Sequence, residues 1–135
     1  MSTSEVILPT GWSRPSGYSH GLAVRGGRDV FVAGQFGWAP GTKTCVEGFV
    51  AQWDQALANV VEIVSAAGGG GQSIVSMRIY LLDMEQYRNA SPSDLGGSWV
   101  KHIGKWFPTV TMVQVGALED AQALIEIEAL ARVDD

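Results

Sequence analysis

The chain has 135 residues, of which 46% are hydrophobic and 17% charged, a composition typical of one folded globular domain with a single core. Its net charge is −5 and its Lys and Arg residues are scattered, which argues against a nucleic-acid surface because such surfaces cluster basic residues. The single cysteine excludes an internal disulfide, and neither a signal peptide nor a membrane-spanning segment is visible. We therefore expect a cytoplasmic protein with no nucleic-acid and no membrane partner.

The first half of the chain predicts a lead-in, a hairpin and a helix. Residues 1–17 are rich in Pro, Gly and Ser, and we expect an extended lead-in that Trp12 attaches to the body. Alternation over 18–24 and an apolar run over 30–33, separated by a Gly-Gly-Arg-Asp turn, predict a β-hairpin. Apolar residues then recur at three- and four-residue steps over about 47–67, which predicts an amphipathic helix.

The second half predicts a strand, a helix and a further hairpin. The strand covers 74–82, and the helix begins at a cap supplied by Ser91 or Ser93 and runs to about Lys105. Two alternating runs then flank the short acidic turn 119–122, which predicts an antiparallel hairpin at the C-terminus.

These elements give the order β-β-α-β-α-β-β. Such an order predicts an α+β domain over residues 1–135, with a single mixed β-sheet and two helices packed on one face. The other sheet face then needs a cover, and we expect a second copy of the chain to supply it.

Two carboxylates, Glu126 and Glu128, interrupt the apolar pattern of the last strand. Charges at such positions either protect an exposed sheet edge from pairing with other chains or line a cleft. The sequence leaves both interpretations open, and the deeper position of Glu126 in the run favours the cleft for that residue.

Several segments, taken in order, resemble the RidA/YjgF family of reactive-intermediate deaminases. The resemblance covers about residues 15–133. In the first half it is carried by a tyrosine motif at Gly17–Gly21, a strand ending in a Gly-Gln turn at Val30–Gly37 and a helix at Ala51–Gly68. In the second half it is carried by a central strand at Tyr80–Asp83, a Phe-Pro step at Phe107–Pro108 and a final strand at Ile125–Glu128. It implies a chorismate-mutase-like fold and a homotrimer with a cleft between each pair of subunits. It also implies hydrolysis of a small-molecule enamine or imine to a keto acid and ammonia, without a cofactor.

The family motifs also imply roles for individual residues. Tyr18 would position the substrate, and Glu126 would assist the attacking water. Gly34, Gln35 and Phe36, in and after the Gly-Gln turn, would line the cleft.

The sequence departs from the family pattern after the Phe-Pro step. Val110 stands where the family has a carboxylate-binding arginine, and Met112 where it has a cysteine. Losing a bidentate ion pair typically lowers affinity by about two to three decades. We therefore expect an apolar pocket wall and a larger or uncharged substrate, with Arg14 and Arg78 either replacing the lost cation or acting only as surface charges.

The histidines and the cysteine leave further alternatives. His20 shares the predicted face of Tyr18 and is either a general base in the cleft or a hydrogen-bonded interface histidine. His102 is expected to be solvated. The two histidines lack the short spacing of a metal motif, and Cys45 has no base beside it in the sequence, so we expect neither a metal site nor a cysteine nucleophile.

Three functions therefore remain open: a hydrolase acting on an enamine, imine or related conjugated compound, a non-catalytic trimer that binds a small molecule or a partner protein, and an endoribonuclease. The acidic charge balance disfavours the last of these, an activity attributed to some family members.

Overall fold

In the computed structural model, which describes residues 1–135, a four-stranded mixed sheet packs against helices, so the predicted α+β class is confirmed. The strands are β1 Thr3–Ile7, β2 Gly21–Arg25, β3 Arg28–Phe36, β4 Trp38–Ala39, β5 Thr44–Cys45, β6 Ile74–Leu81, β7 Thr109–Gln114 and β8 Ile125–Val133. The helices are α1 Phe49–Ala66, α2 Met84–Asn89 and α3 Pro92–His102, with a 3₁₀ turn at Gly71–Ser73. None of these helices is long and apolar enough to cross a bilayer.

The main sheet has the strand order β3-β8-β6-β7. β8 is antiparallel to both of its neighbours, whereas β7 is parallel to β6. The predicted C-terminal hairpin is therefore wrong, because β7 and β8 do not pair. Residues 115–124 form a long connection that carries β8 past β6 into the sheet, where the strand is paired on both sides.

One face of β8 is buried against the helices. One side chain in two on this strand is apolar and faces the helix layer, and burying a large apolar side chain contributes about 1.5–3 kcal/mol. The buried residues on this face are Ile125, Ile127, Ala129, Ala131 and Val133. α1 packs across both β8 and β3, so the core lies on one side of the sheet and the other side is open.

The predicted N-terminal hairpin is also wrong in its pairing. β2 pairs antiparallel with β1, a strand within the expected lead-in, and not with β3. Gly26 and Gly27 both have positive φ and turn the chain between two different sheets. Trp12 is 57% exposed and meets His20 edge-on at 5.0 Å, so it packs against the segment that precedes β2 and not against the core.

Gln52 fixes the start of β8 from within α1. Its side chain is buried, and its amide nitrogen donates to the carbonyl oxygens of Val46 at 3.0 Å and Gln122 at 3.1 Å. Its amide oxygen accepts from the backbone nitrogen of Leu124 at 2.7 Å. Gly37 allows this contact, because a Cβ there would lie 2.7 Å from the Gln52 Cα.

α3 is tied to α1 by a small polar cluster centred on Asp54. Its Oδ1 accepts from Ser98 Oγ at 2.7 Å and lies 2.9 Å from His102 Nε2. The expectation that His102 is solvated is therefore wrong, since its side chain is only 14% exposed. Partial burial works to raise the pKa of Asp54, but the hydrogen bonds from Ser98 and His102, with the charges of His102 and Lys101, hold that pKa below its ordinary value.

Replacing Gln52 tests the contacts by which α1 fixes the start of β8. We expect Gln52→Leu to lower the free energy of unfolding by about 2–4 kcal/mol, because it removes three part-buried hydrogen bonds to the backbone. Gln72→Leu, at an exposed position, is the matched control. Urea denaturation measures both, and equal stability of the two variants would contradict the role given to Gln52.

The Asp54 cluster predicts a pH dependence. A carboxyl whose pKa is lower in the folded than in the unfolded protein stabilises the fold above its unfolded pKa, and this contribution disappears as the pH falls through the folded value. Urea midpoints should therefore fall more for the wild type than for Asp54→Asn when the pH is lowered from 6 to below about 4. Identical falls in the two proteins would show that Asp54 is not the group responsible.

Candidate functional site

A cavity of about 660 Å³ lies between the helices and the β7 edge of the sheet. Sixteen residues line it, and 11 of these are hydrophobic. The helices contribute Trp53, Leu95 and Trp99, and β7 contributes Val110 and Met112. The shape and lining suit a small organic molecule with a substantial apolar part.

The pairing of β7 with β6 determines where Val110 and Met112 point. Residues opposite one another in a parallel pair lie on the same face, and Val110 and Met112 lie opposite Met77 and Ile79. Both β6 residues are 1% exposed and belong to the core. Val110 and Met112 therefore face the helix layer and form the sheet wall of the cavity.

Tyr18 lines the same cavity, and hydrogen bonds made by its neighbour Ser19 hold it there. The Ser19 backbone nitrogen donates to the Pro108 oxygen at 3.0 Å, and its hydroxyl donates to the Phe107 oxygen. These bonds attach the segment before β2 to the start of β7, and Tyr18, which is 39% exposed, lies at the mouth of the cavity. Ser19 was not predicted from the sequence, where its only signal is its position beside Tyr18.

Glu126 lies on the opposite, open face of the sheet. It lies opposite Phe36 of β3 on one side and Tyr80 of β6 on the other. Because β8 is therefore not an edge strand, the interpretation of its carboxylates as edge charges is wrong. Its side chain covers Gly34, where an added Cβ would lie 2.5 Å from Glu126 Oε2. A register shift in β3 between Val32 and Gln35 accompanies this contact.

Glu128 is engaged differently, because it accepts a hydrogen bond from the Tyr80 hydroxyl. This bond, followed by desolvation and the charge of Glu128, raises the pKa of Tyr80. Glu128 and Tyr80 therefore form a pair within the protomer, while Glu126 remains over the glycine.

Two other predicted site residues lie away from the cavity. Gln35 is directly opposite Ile127, and its amide accepts from the Trp38 indole at 3.1 Å and donates to the Ala33 oxygen at 3.2 Å. His20 is exposed and lies between the rings of Trp12 and Tyr18. Both residues support neighbouring aromatic side chains in the protomer.

The protomer therefore brings the predicted residues together in two groups and not one. Tyr18, Val110 and Met112 meet at the cavity on the helix side, while Glu126 and Phe36 lie on the open side with Gly34 beneath the Glu126 carboxylate. Side chains on the two faces of one sheet cannot act on the same small molecule. A single site containing both groups requires two copies of the chain.

The charged residues are also distributed unevenly. Arg78 lies opposite Glu128 on the open face, and Arg14 does not line the cavity, so neither replaces the missing arginine there. The charged residue that does line the cavity is Arg88 of α2, which was not predicted from the sequence. Burial, and then the charge of Asp120, raise the pKa of Cys45, which disfavours the reactive thiolate.

Comparison with known proteins agrees with this fold. The sequence model of the family described as Endoribonuclease L-PSP matches residues 13–133. A RutC family protein of Pyrococcus horikoshii is 30% identical over 128 residues, which cover 94% of this chain and 96% of that protein. A Bos taurus protein named 2-iminobutanoate/2-iminopropanoate deaminase is 32% identical over 115 residues, covering 84% of this chain and 78% of that protein.

The crystal structure of a member of the conserved Rid protein family from Yersinia pestis has a TM-score of 0.75 and 32% sequence identity, covering 96% of this chain and 98% of that one. Fold and sequence together define a Rid-type α+β protein. The chain belongs to the RidA/YjgF family.

Proposed function

We propose that the protein hydrolyses an enamine or imine in a cleft formed between two copies of the chain. The observation that carries this proposal is the carboxylate of Glu126, which lies on the open sheet face directly over Gly34, available to a neighbouring copy. The name of the Bos taurus relative, a deaminase of 2-imino acids, supports the same reaction class.

The chemistry follows from the residues that two copies would supply. Glu126 of one copy accepts a proton from water as the water oxygen bonds to the imine carbon, and the C=N π electrons move to nitrogen. Glu126 passes this proton to the nitrogen, which gives a neutral carbinolamine. The carbinolamine hydroxyl proton is then transferred through Glu126 to the amine nitrogen, the C–N bond electrons leave with that nitrogen as ammonia, and the oxygen forms the C=O bond of the product. An enamine first takes up a proton on carbon to become the imine. Tyr18 of the other copy orients the substrate at the cavity mouth.

The cavity wall supports a substrate that differs from small amino-acid-derived enamines. Val110 and Met112 present no hydrogen-bond donor where the family pattern has an arginine, and 11 of 16 lining residues are hydrophobic. Apolar area buried on binding replaces part of the lost ion pair, at about 25 cal/mol per Å². This favours a bulky or uncharged substrate.

The homotrimer is part of the same proposal. Phe31, on the open face of β3, is 78% exposed, and Leu130 and Phe36 lie on that face. A head-to-tail contact that joins this face of one copy to the cavity mouth of the next can close into a ring of three copies. Such a ring buries the apolar open face and gives each cleft residues from two copies.

A non-catalytic trimer that binds a small molecule or a partner protein is the alternative. Val110 favours it, because an apolar cavity without the arginine can bind a ligand and do no chemistry. Ammonia release separates the alternatives, since binding alone produces none.

Activity should depend on Glu126 and on the glycine beneath it. With a panel of imines and enamines generated in solution, from small carboxylated to bulky neutral compounds, we expect ammonia release from the bulky members. Glu126→Gln should lower the rate about 10²–10⁴-fold. Gly34→Ala should also lower it, because the methyl group displaces the carboxylate, while Glu62→Gln on the exposed side of α1 serves as control.

The outcomes of this panel separate three cases. Turnover that survives Glu126→Gln would contradict the role of Glu126. Activity found only in Val110→Arg would show that the fold supports the reaction when the arginine is present and that the natural protein does not catalyse it. No ammonia from any variant or substrate would favour the binding trimer.

The open face should govern assembly. We expect the wild type to sediment as a trimer and Phe31→Asp to sediment as a smaller species, because the substitution places a charge in the buried contact. Ile63→Asp on the outer face of α1, where the isoleucine is 36% exposed, should leave the trimer intact. Sedimentation velocity distinguishes these species, and a trimeric Phe31→Asp protein would place the interface elsewhere.

A further inference from the structure

Arg88 is the only charged residue among the 16 that line the cavity. It comes from α2, a short helix that the sequence did not predict. The rest of the lining supplies aromatic and aliphatic surface with a few small or hydroxyl groups, so Arg88 is the sole permanent charge that the cavity of one copy presents to an occupant.

The position of α2 is fixed by contacts on both sides of the cavity. The Tyr87 ring lies 5.8 Å from the Trp53 ring, between centroids, which holds α2 against α1. At the other end of α2, the Met84 backbone nitrogen donates to Gln114 Oε1 at 2.8 Å, which ties the helix to the end of β7. Arg88 is therefore carried by an element that joins the two walls.

The guanidinium of Arg88 is available to a ligand. Its partner within the chain is Glu85, at 2.8 Å, and the two side chains are 65% and 63% exposed. An exposed pair of this kind contributes little to stability, so a ligand carboxylate can replace Glu85 without disturbing the fold. The planar guanidinium can then donate two parallel hydrogen bonds to that carboxylate.

We propose that Arg88 is the anion-binding residue of this cavity and that its ligand is a monocarboxylate with a bulky apolar side chain. The inference rests on the function proposed above and selects, between a larger and an uncharged substrate, the larger one that keeps its carboxylate. The carboxylate meets Arg88 at the rim, and the apolar body lies against Trp53, Trp99 and Met112.

Calorimetric titration with stable probes tests this without requiring turnover. The probes are 3-phenylpropanoate, its neutral amide, and acetate, which has the charge without the apolar body. We expect 3-phenylpropanoate to bind about 10- to 100-fold more tightly than the other two. Arg88→Gln should remove the advantage over the amide, whereas Arg25→Gln, at an exposed arginine at the end of β2, should retain it.

Glu85→Gln adds a variant with a gain of affinity. Removing the competing carboxylate should tighten 3-phenylpropanoate binding about two- to fivefold and leave binding of the amide unchanged. Equal affinities for the acid and the amide, no binding of the acid, or unchanged affinity in Arg88→Gln would each overturn the proposal.

The two proposals fail in different ways. Carboxylate binding that depends on Arg88, in a protein that releases no ammonia from any imine, would overturn the hydrolase and keep the anion site. Turnover that depends on Glu126 but is the same for acids and amides, and is unaffected by Arg88→Gln, would keep the hydrolase and overturn the anion site.

Discussion

The alternation of side chains along β8 is the constraint on which the rest of the structure depends. Ile125, Ile127 and Ala131 are fully buried beneath the helices, so the residues between them must point to the opposite face. A shift of one residue would bury Glu126 and Glu128 and expose the core. The strand satisfies this pattern in the middle of the sheet, between β3 and β6, and Gln52 holds its first residues there.

That arrangement divides the chemistry between two faces. Glu126 belongs to the open face, whereas Tyr18 is held at the cavity mouth by the bonds from Ser19 to the start of β7. Assembly of at least two copies is then a requirement of the proposed reaction and not an addition to it, since each cleft would take its carboxylate from one copy and its pocket from the next. The same division separates specificity from catalysis: Arg88 and the apolar wall would choose the ligand, and Glu126 would act on it.

Local patterns predicted α1, β6 and the apolar alternation of β8, because each depends on periodicity within one segment. They did not predict which strands pair. A Gly-Gly turn and an acidic turn each suggested a hairpin, but turn residues say nothing about a competing partner, here β1 for β2 and β6 for β7. Family motifs indicated Tyr18 and Glu126, yet their placement on opposite faces follows only from the assembled sheet. Arg88 could not be singled out, because its place at the cavity depends on the contact between Tyr87 and Trp53.

Subunit complementation tests the shared cleft most directly. Glu126→Ala and Tyr18→Ala proteins are each assayed alone, then unfolded together in equal amounts, refolded and assayed for ammonia release from the best imine substrate. Random mixing places an intact Tyr18 beside an intact neighbouring Glu126 in about a quarter of the clefts, so the mixture should regain about a quarter of wild-type activity. A mixture no more active than the separate variants, although wild-type protein treated in the same way recovers, would contradict a site built from two copies.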